Sequence, residues 1–186
     1  MVDSFIHVVE QYLTYPVNAK VQDAFSEGLM RVIHEEGLKV LDHPNDYDIR
    51  ANLMWAATNA LNVWIGQGVP QDWSSHRMGY SLTAQFGLDH AQTLAILLPG
   101  VMTYMFKEKQ AKLARMGEVV FGITDGTEEE RARKTIAACE DFFRRMGLKT
   151  HLGECGITEK DLDALAAPVD KQGWKLGEHH NIDSRV

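Results

Sequence analysis

Nearly every stretch of this chain repeats its apolar residues at three- to four-residue intervals, and no run of useful length alternates them. That period is the mark of helices laid with one face on a core, and it argues against any fold built on a sheet. Residues 4–14 place Phe5, Ile6, Val9, Tyr12 and Leu13 on one stripe. Pro16 should end that helix, and Asn18 is the expected cap of a second over 18–41. A third is expected over 47–66, with Leu53, Ala57, Leu61 and Ile65 in register. GQGVP at 66–70 breaks it, Asp72 is the expected cap of the next helix, and Gly87 its end. Another begins near Asp89 and is expected to bend or break at Pro99–Gly100. TEEE at 127–130 reads as a capping box for a helix to about Met146. Gly147 reads as its stop and KTHLGECG as a loop, while Thr158 and Asp161 start a last helix. The closing NIDSRV carries no expected element. The sum is one all-α domain over residues 1–186, a bundle of about eight helices.

Length and composition narrow the function classes. With 186 residues the chain can bury one sizeable core. A net charge of −7 and no basic stripe with interleaved aromatics argue against a nucleic-acid partner. The most apolar stretch, AQTLAILLPGVMTYMF at 91–106, is short for a membrane span and carries Pro99 in its middle. There is no signal-peptide pattern, and Cys139 and Cys155 read as free thiols, so a cytoplasmic location is expected.

Polar residues in the helices carry the chemistry. Asp3 and His7 stand at i, i+4, so their side chains point the same way about 6 Å apart, as two ligands of one cation would. They fall roughly opposite the centre of the apolar stripe. His76 and His90 would lie about 21 Å apart on one unbroken helix, but Gly87 can fold His90 back toward His76. Three imidazoles and a carboxylate then suit a divalent transition metal, zinc or ferrous iron. By spacing alone His34, His43, His151, His179 and His180 are equally available, and a solvated Asp3–His7 pair is the plainer alternative.

Two segments resolve that choice by resemblance. DSFIHVVEQYLT running on to NAKVQDAFSEGL, and WSSHRMGYSLTAQFGLDHAQTLAILLP, resemble the iron-containing (group III) alcohol dehydrogenases, especially the butanol-dehydrogenase-type aldehyde reductases. YDIRANLMWAATNALN between them is similar too. The resemblance covers nearly the whole chain and implies the family's C-terminal helical domain, with Asp3, His7, His76 and His90 as ligands of Fe2+ or Zn2+. It implies NAD(P) as the cofactor of the intact enzyme and a small aldehyde or alcohol as substrate. Tyr80 stands where many relatives have a histidine near the nicotinamide, which makes it the candidate catalytic residue. Trp55, Trp73 and Phe86 are candidate walls of the substrate pocket, Phe86 also replacing a histidine of some relatives. GEHHN at 177–181 could approach the cleft.

No Gly-rich loop between a strand and a helix is present, so no cofactor-binding residue is assigned and the family's N-terminal dinucleotide-binding domain is expected to be absent from this chain. That domain is then an expected partner, and a second copy in a homodimer is another candidate. The expected function is the metal-binding catalytic half of an NAD(P)-dependent alcohol dehydrogenase or aldehyde reductase, inactive alone. Two alternatives stand against it. One is a helical module that only binds metal or a partner. The other is a helical metal-dependent phosphohydrolase, disfavoured because Asp89-His90 reverses the adjacent His-Asp pair that such enzymes use.

Overall fold

The computed structural model describes residues 1–184, and within them the chain forms eight α-helices. They are α1 (Val2–Tyr12), α2 (Lys20–Asp42), α3 (Tyr47–Ala60), α4 (Ser74–Phe86), α5 (His90–Tyr104), α6 (Phe106–Phe121), α7 (Glu128–Arg145) and α8 (Leu162–Lys171). Short 3-10 turns at Leu152–Cys155 and Glu159–Asp161 precede α8. The only β pairing among the described residues is an isolated bridge between Leu176 and Ile182. Arg185 and Val186, the end of the NIDSRV segment, lie outside the described residues.

The first helix is the axle of the domain. Val2, Phe5, Ile6, Val8, Val9 and Tyr12 are all buried, and α2, α3 and α5 pack around them. Val8 lies off the expected stripe and is still fully enclosed, because α1 is wrapped by neighbours rather than laid on one core face. Phe5 meets Phe142 edge-on at 5.3 Å between ring centroids, with Phe143 at 6.2 Å and Phe121 at 6.3 Å. A buried Phe of this kind contributes about 1.5–3 kcal/mol.

Several helix ends follow local rules. Thr127 and Glu130 close the capping box on α7, with Thr127 N donating to Glu130 Oε2 at 2.7 Å and Glu130 N to Thr127 Oγ1 at 3.2 Å. Gly87 closes α4 in the left-handed conformation at φ 66°, where a Cβ would be strained. Asp72 Oδ1 accepts from Ser74 N at 2.8 Å and from Trp73 N at 3.0 Å, so it satisfies amides at the start of α4, although the N-cap position itself falls on Trp73 and not on Asp72.

Other boundaries differ from expectation. Asn18 does not cap α2: it sits at φ 57° and the helix begins two residues later without a side-chain cap. The third helix stops at Ala60, not near 66. Asn62 Oδ1 accepts from Trp64 N at 3.2 Å, and Asn62 Nδ2 donates to Asn59 Oδ1 at 3.0 Å. These local bonds compete with the helical ladder, and Val63 turns to φ 67°. Leu61 is exposed as a result, while Ile65 is buried from the turn. Conversely α5 runs through Pro99 and ends at Tyr104.

None of the described helices is long and apolar enough to cross a membrane. Cys139 and Cys155 are free thiols.

Candidate metal centre

Asp3, His7 and Glu10 fall at i, i+4 and i+7 of α1 and so share one face. Trp73, the residue before α4, and His76 and Tyr80 share a face in the same way. The short turn at Gly87–Asp89 returns the chain so that His90, the first residue of α5, lies beside His76, with ring centroids 5.1 Å apart. Close packing of α4 on α5 holds this. Gly79 faces Thr93 so tightly that a Cβ there would come within 2.7 Å of Thr93 Oγ1, and that hydroxyl already donates to the His90 carbonyl at 2.8 Å.

The four expected ligands meet around one atom. Asp3 Oδ1 stands 3.2 Å from His7 Nδ1, 3.5 Å from His90 Nε2 and 3.9 Å from His76 Nε2. The His7 and His76 rings are 4.2 Å apart. Asp3, His7 and His76 each offer a donor within 4.8 Å of the others. The cluster is buried on one side and open on the other: the His76 and His7 side chains are 8% and 13% exposed, those of Asp3 and His90 40% and 41%. Asp3 Oδ1 and His76 Nε2 are buried and have no hydrogen-bond partner. Two orphaned polar atoms aimed at one point are costly unless something there satisfies them, and an oxygen and imidazole-nitrogen donor set is one that a divalent transition metal takes. The residues therefore fit the cation expected from the sequence.

Charge and hydrogen bonding set the protonation of the cluster. His7 Nδ1 donates to the Asp3 main-chain carbonyl at 2.8 Å, which leaves Nε2 with the lone pair. The nearby His7 imidazole holds the Asp3 carboxyl below its usual range, against the opposing effect of burial. His7 is lowered by burial but raised further by Asp3, with a net upward shift. Burial pushes His90 down, and repulsion from His76 and His7 adds to it against the pull of Asp3. His90 thus keeps its lone pair near neutrality.

A second layer lies beneath, and it was missed in the sequence. Glu10 is buried in α1; its Oε1 accepts from Ser75 N at 2.7 Å and its Oε2 bonds to His76 Nδ1. Burial raises the Glu10 carboxyl, opposed by His76. The available signal was a carboxylate seven residues after Asp3, on the same helical face and amid buried apolar neighbours. Below it Lys109 of α6 is buried, 3.0 Å from Asp72 Oδ2 and 2.9 Å from Glu178 Oε1, with a further bond to the Leu13 carbonyl.

The remaining candidates divide. Trp73 packs edge-on to His7 at 5.7 Å and to His76 at 5.3 Å, its indole donating to Gln71 Oε1 at 2.8 Å. Tyr80 is exposed and lies nearly parallel to the His90 ring at 6.5 Å. Phe86, the last residue of α4, is exposed at its outer end. Trp55 is not brought to the cluster. It is exposed on α3 and lines a separate groove with Phe25 and Trp64, whose ring centroids lie 4.1 Å apart with the planes tilted by 42°. In GEHHN, Glu178 goes inward to Lys109, His179 packs near Tyr15 at 5.3 Å, and His180 meets the Lys175 carbonyl. None of that segment joins the four ligands.

Comparison with known proteins identifies the family and the fold. The sequence profile of the Fe-containing alcohol dehydrogenase family, C-terminal, matches residues 1–182. The NADPH-dependent aldehyde reductase YqhD of Escherichia coli is 49% identical over 183 residues, 98% of this chain and 47% of that protein. The NADH-dependent butanol dehydrogenase A of Clostridium acetobutylicum is 32% identical over 185 residues, 98% of this chain and 48% of that protein. A solved structure of the E. coli aldehyde reductase in its substrate- and cofactor-free form superposes with a TM-score of 0.96 at 48% identity, covering 100% of this chain and 49% of the other. A butanol dehydrogenase A structure from Thermotoga maritima gives 0.90 at 29% identity, covering 99% of this chain and 48% of the other. The chain spans about half the length of the relatives it matches.

Proposed function

Because this chain belongs to the Fe-containing alcohol dehydrogenase family, matching its C-terminal part, we propose that it is the metal-holding catalytic portion of an NAD(P)H-dependent alcohol dehydrogenase or aldehyde reductase. The observation that carries this reading is the convergence of His7, His76 and His90 on Asp3 Oδ1 at an open face, with Asp3 Oδ1 and His76 Nε2 orphaned. Asp3, His7, His76 and His90 would hold one divalent cation, ferrous iron or zinc. Bound there, it supplies the Lewis acidity that polarises an aldehyde or alcohol oxygen.

The chain's own residues do the rest of the positioning. The two buried imidazoles form a rigid floor, and the exposed Asp3 and His90 leave one side open to a substrate. Trp73 walls that floor and keeps water from its inner edge. Tyr80, stacked on His90 at the open side, is the group we assign to proton delivery through its hydroxyl. Phe86 would form an outer wall, and Trp55 we leave out of the pocket.

The reaction this supports is hydride transfer between a nicotinamide and the substrate carbon. The nucleotide would be held by a separate dinucleotide-binding unit, the role we assign to the half of the relatives that this chain does not span. Free Cys139 and Cys155 fit a reducing cytoplasm. The second reading is a helical metal-binding module with no dehydrogenase activity of its own.

Hydride transfer needs the two carbons held at about 3–3.5 Å, so the metal-loaded chain alone should not oxidise NADPH with butyraldehyde. A chimera carrying the first half of the E. coli aldehyde reductase ahead of residue 1 should do so. Steady-state absorbance at the nicotinamide band decides. Turnover by the chain alone comparable to that of the intact relative overturns the division of labour. A metal-loaded, folded chimera without turnover favours the module.

A further inference from the structure

We propose that Glu10 is a positioning residue that fixes His76 in the Nδ1–H form, so that its Nε2 lone pair is aimed at Asp3 before any metal arrives. The inference deepens the metal-centre reading and rests on it. Glu10 is 2% exposed and lies one layer beneath the cluster. Both of its oxygens face nitrogen: Oε1 takes the Ser75 backbone N–H at 2.7 Å, and Oε2 takes His76 Nδ1. A backbone N–H can only donate. A neutral acid donating from Oε2 to Nδ1 would put the His76 proton on Nε2, a buried N–H with no acceptor within hydrogen-bond reach, so the geometry favours the carboxylate, which can only accept. The proton of His76 must then sit on Nδ1, and Nε2 must carry the lone pair. That nitrogen is the buried atom left without a partner, 3.9 Å from Asp3 Oδ1.

The pairing also joins two elements at one point. Glu10 comes from α1, which supplies Asp3 and His7. Ser75 and His76 come from the first turn of α4. Asp72 N donates to the Glu10 carbonyl at 2.9 Å, so the same residue that starts α4 is tied to the backbone of Glu10. A ligand held this way does not have to change tautomer or swing into place on binding, and carboxylate partners of ligating histidines commonly act so.

The amide variant inverts the pattern. In Glu10→Gln the side-chain oxygen is claimed by the Ser75 N–H, and the amide NH2 is left facing His76 Nδ1. Nδ1 must then accept, the proton moves to Nε2, and a protonated Nε2 points at Asp3 where it cannot ligate.

The test uses the 186-residue chain, wild type and Glu10→Gln. Two-bond 1H–15N spectra of the metal-free protein at a pH where histidines are neutral report the His76 tautomer, and cobalt(II) titration reports affinity. The expected result is Nδ1–H in the wild type, Nε2–H in Glu10→Gln, and a cobalt Kd weakened about 10–100-fold in the variant. A wild-type His76 in the Nε2–H form overturns the proposal, and that measurement stands even if the variant fails to fold. A folded Glu10→Gln with unchanged tautomer or unchanged Kd also overturns it. A wild-type chain that takes up no cobalt overturns the metal-centre reading instead, and the tautomer pair then still decides the role of Glu10.

Discussion

Four side chains from three helices are held around Asp3 Oδ1, and each depends on a different neighbour. His7 is aimed by the carbonyl of Asp3, His76 by Glu10, His90 by the turn at Gly87, and Asp3 by the backbone of α1 itself. Removing one of the four proposed ligands leaves a corner that no other described residue fills. His76→Ala and His90→Ala should therefore each lower zinc or iron retained per chain to near zero after dialysis. His43→Ala should leave it unchanged, because His43 is an exposed residue at the end of α2, remote in role from the cluster. Elemental analysis of the three variants checks this; equal metal in all three would remove the assignment.

The decisive contact between elements is the one between α4 and α5. His76 and His90 belong to different helices, and their separation depends on how closely those helices approach. Gly79 permits that approach, since any Cβ would press on Thr93, which is fully buried and bonded to the His90 carbonyl. Gly79→Val should force the helices apart and cost about 1–3 kcal/mol of stability by overpacking. Metal affinity should fall with it, although no ligand has changed. Urea unfolding of the metal-free chain and a cobalt titration measure the two effects. A variant with reduced stability but native affinity would show that Gly79 serves packing alone.

The whole molecule stacks its charges in depth. The open cluster lies over Glu10, and Glu10 lies near the buried set of Asp72, Lys109 and Glu178. Lys109 joins α6, the start of α4 and the C-terminal segment, so it ties three distant parts of the chain. Lys109→Met would leave two buried carboxylates and the Leu13 carbonyl without their cation. Breaking a buried pair in this way costs about 3–5 kcal/mol, and the thermal midpoint of the chain should fall accordingly. Lys39→Met, which removes an exposed i−3 contact to Glu36, should barely move it. Similar losses in the two variants would mean that the Lys109 set is more solvated than its burial indicates.

The residues legible in the sequence are those whose role is local. Helical period, the Thr127–Glu130 box, and the stops at Gly87 and Gly147 depend on neighbours within four positions, so the all-α architecture follows from them directly. Asp3 and His7 could be paired for the same reason, since one turn of helix brings them together. Their union with His76 and His90 was not local; it was reached through resemblance, and spacing alone left five other histidines equally placed. Tertiary packing decided the rest. It buried Val8 by wrapping α1, put Trp55 in a different groove from Trp73, and drew Glu178 inward to Lys109 while leaving His179 and His180 outside. Above all it selected Glu10, whose partner stands sixty-six positions away. Hydrogen bonds at that distance depend on how helices are docked, and the helical period that specifies each helix is silent on the docking.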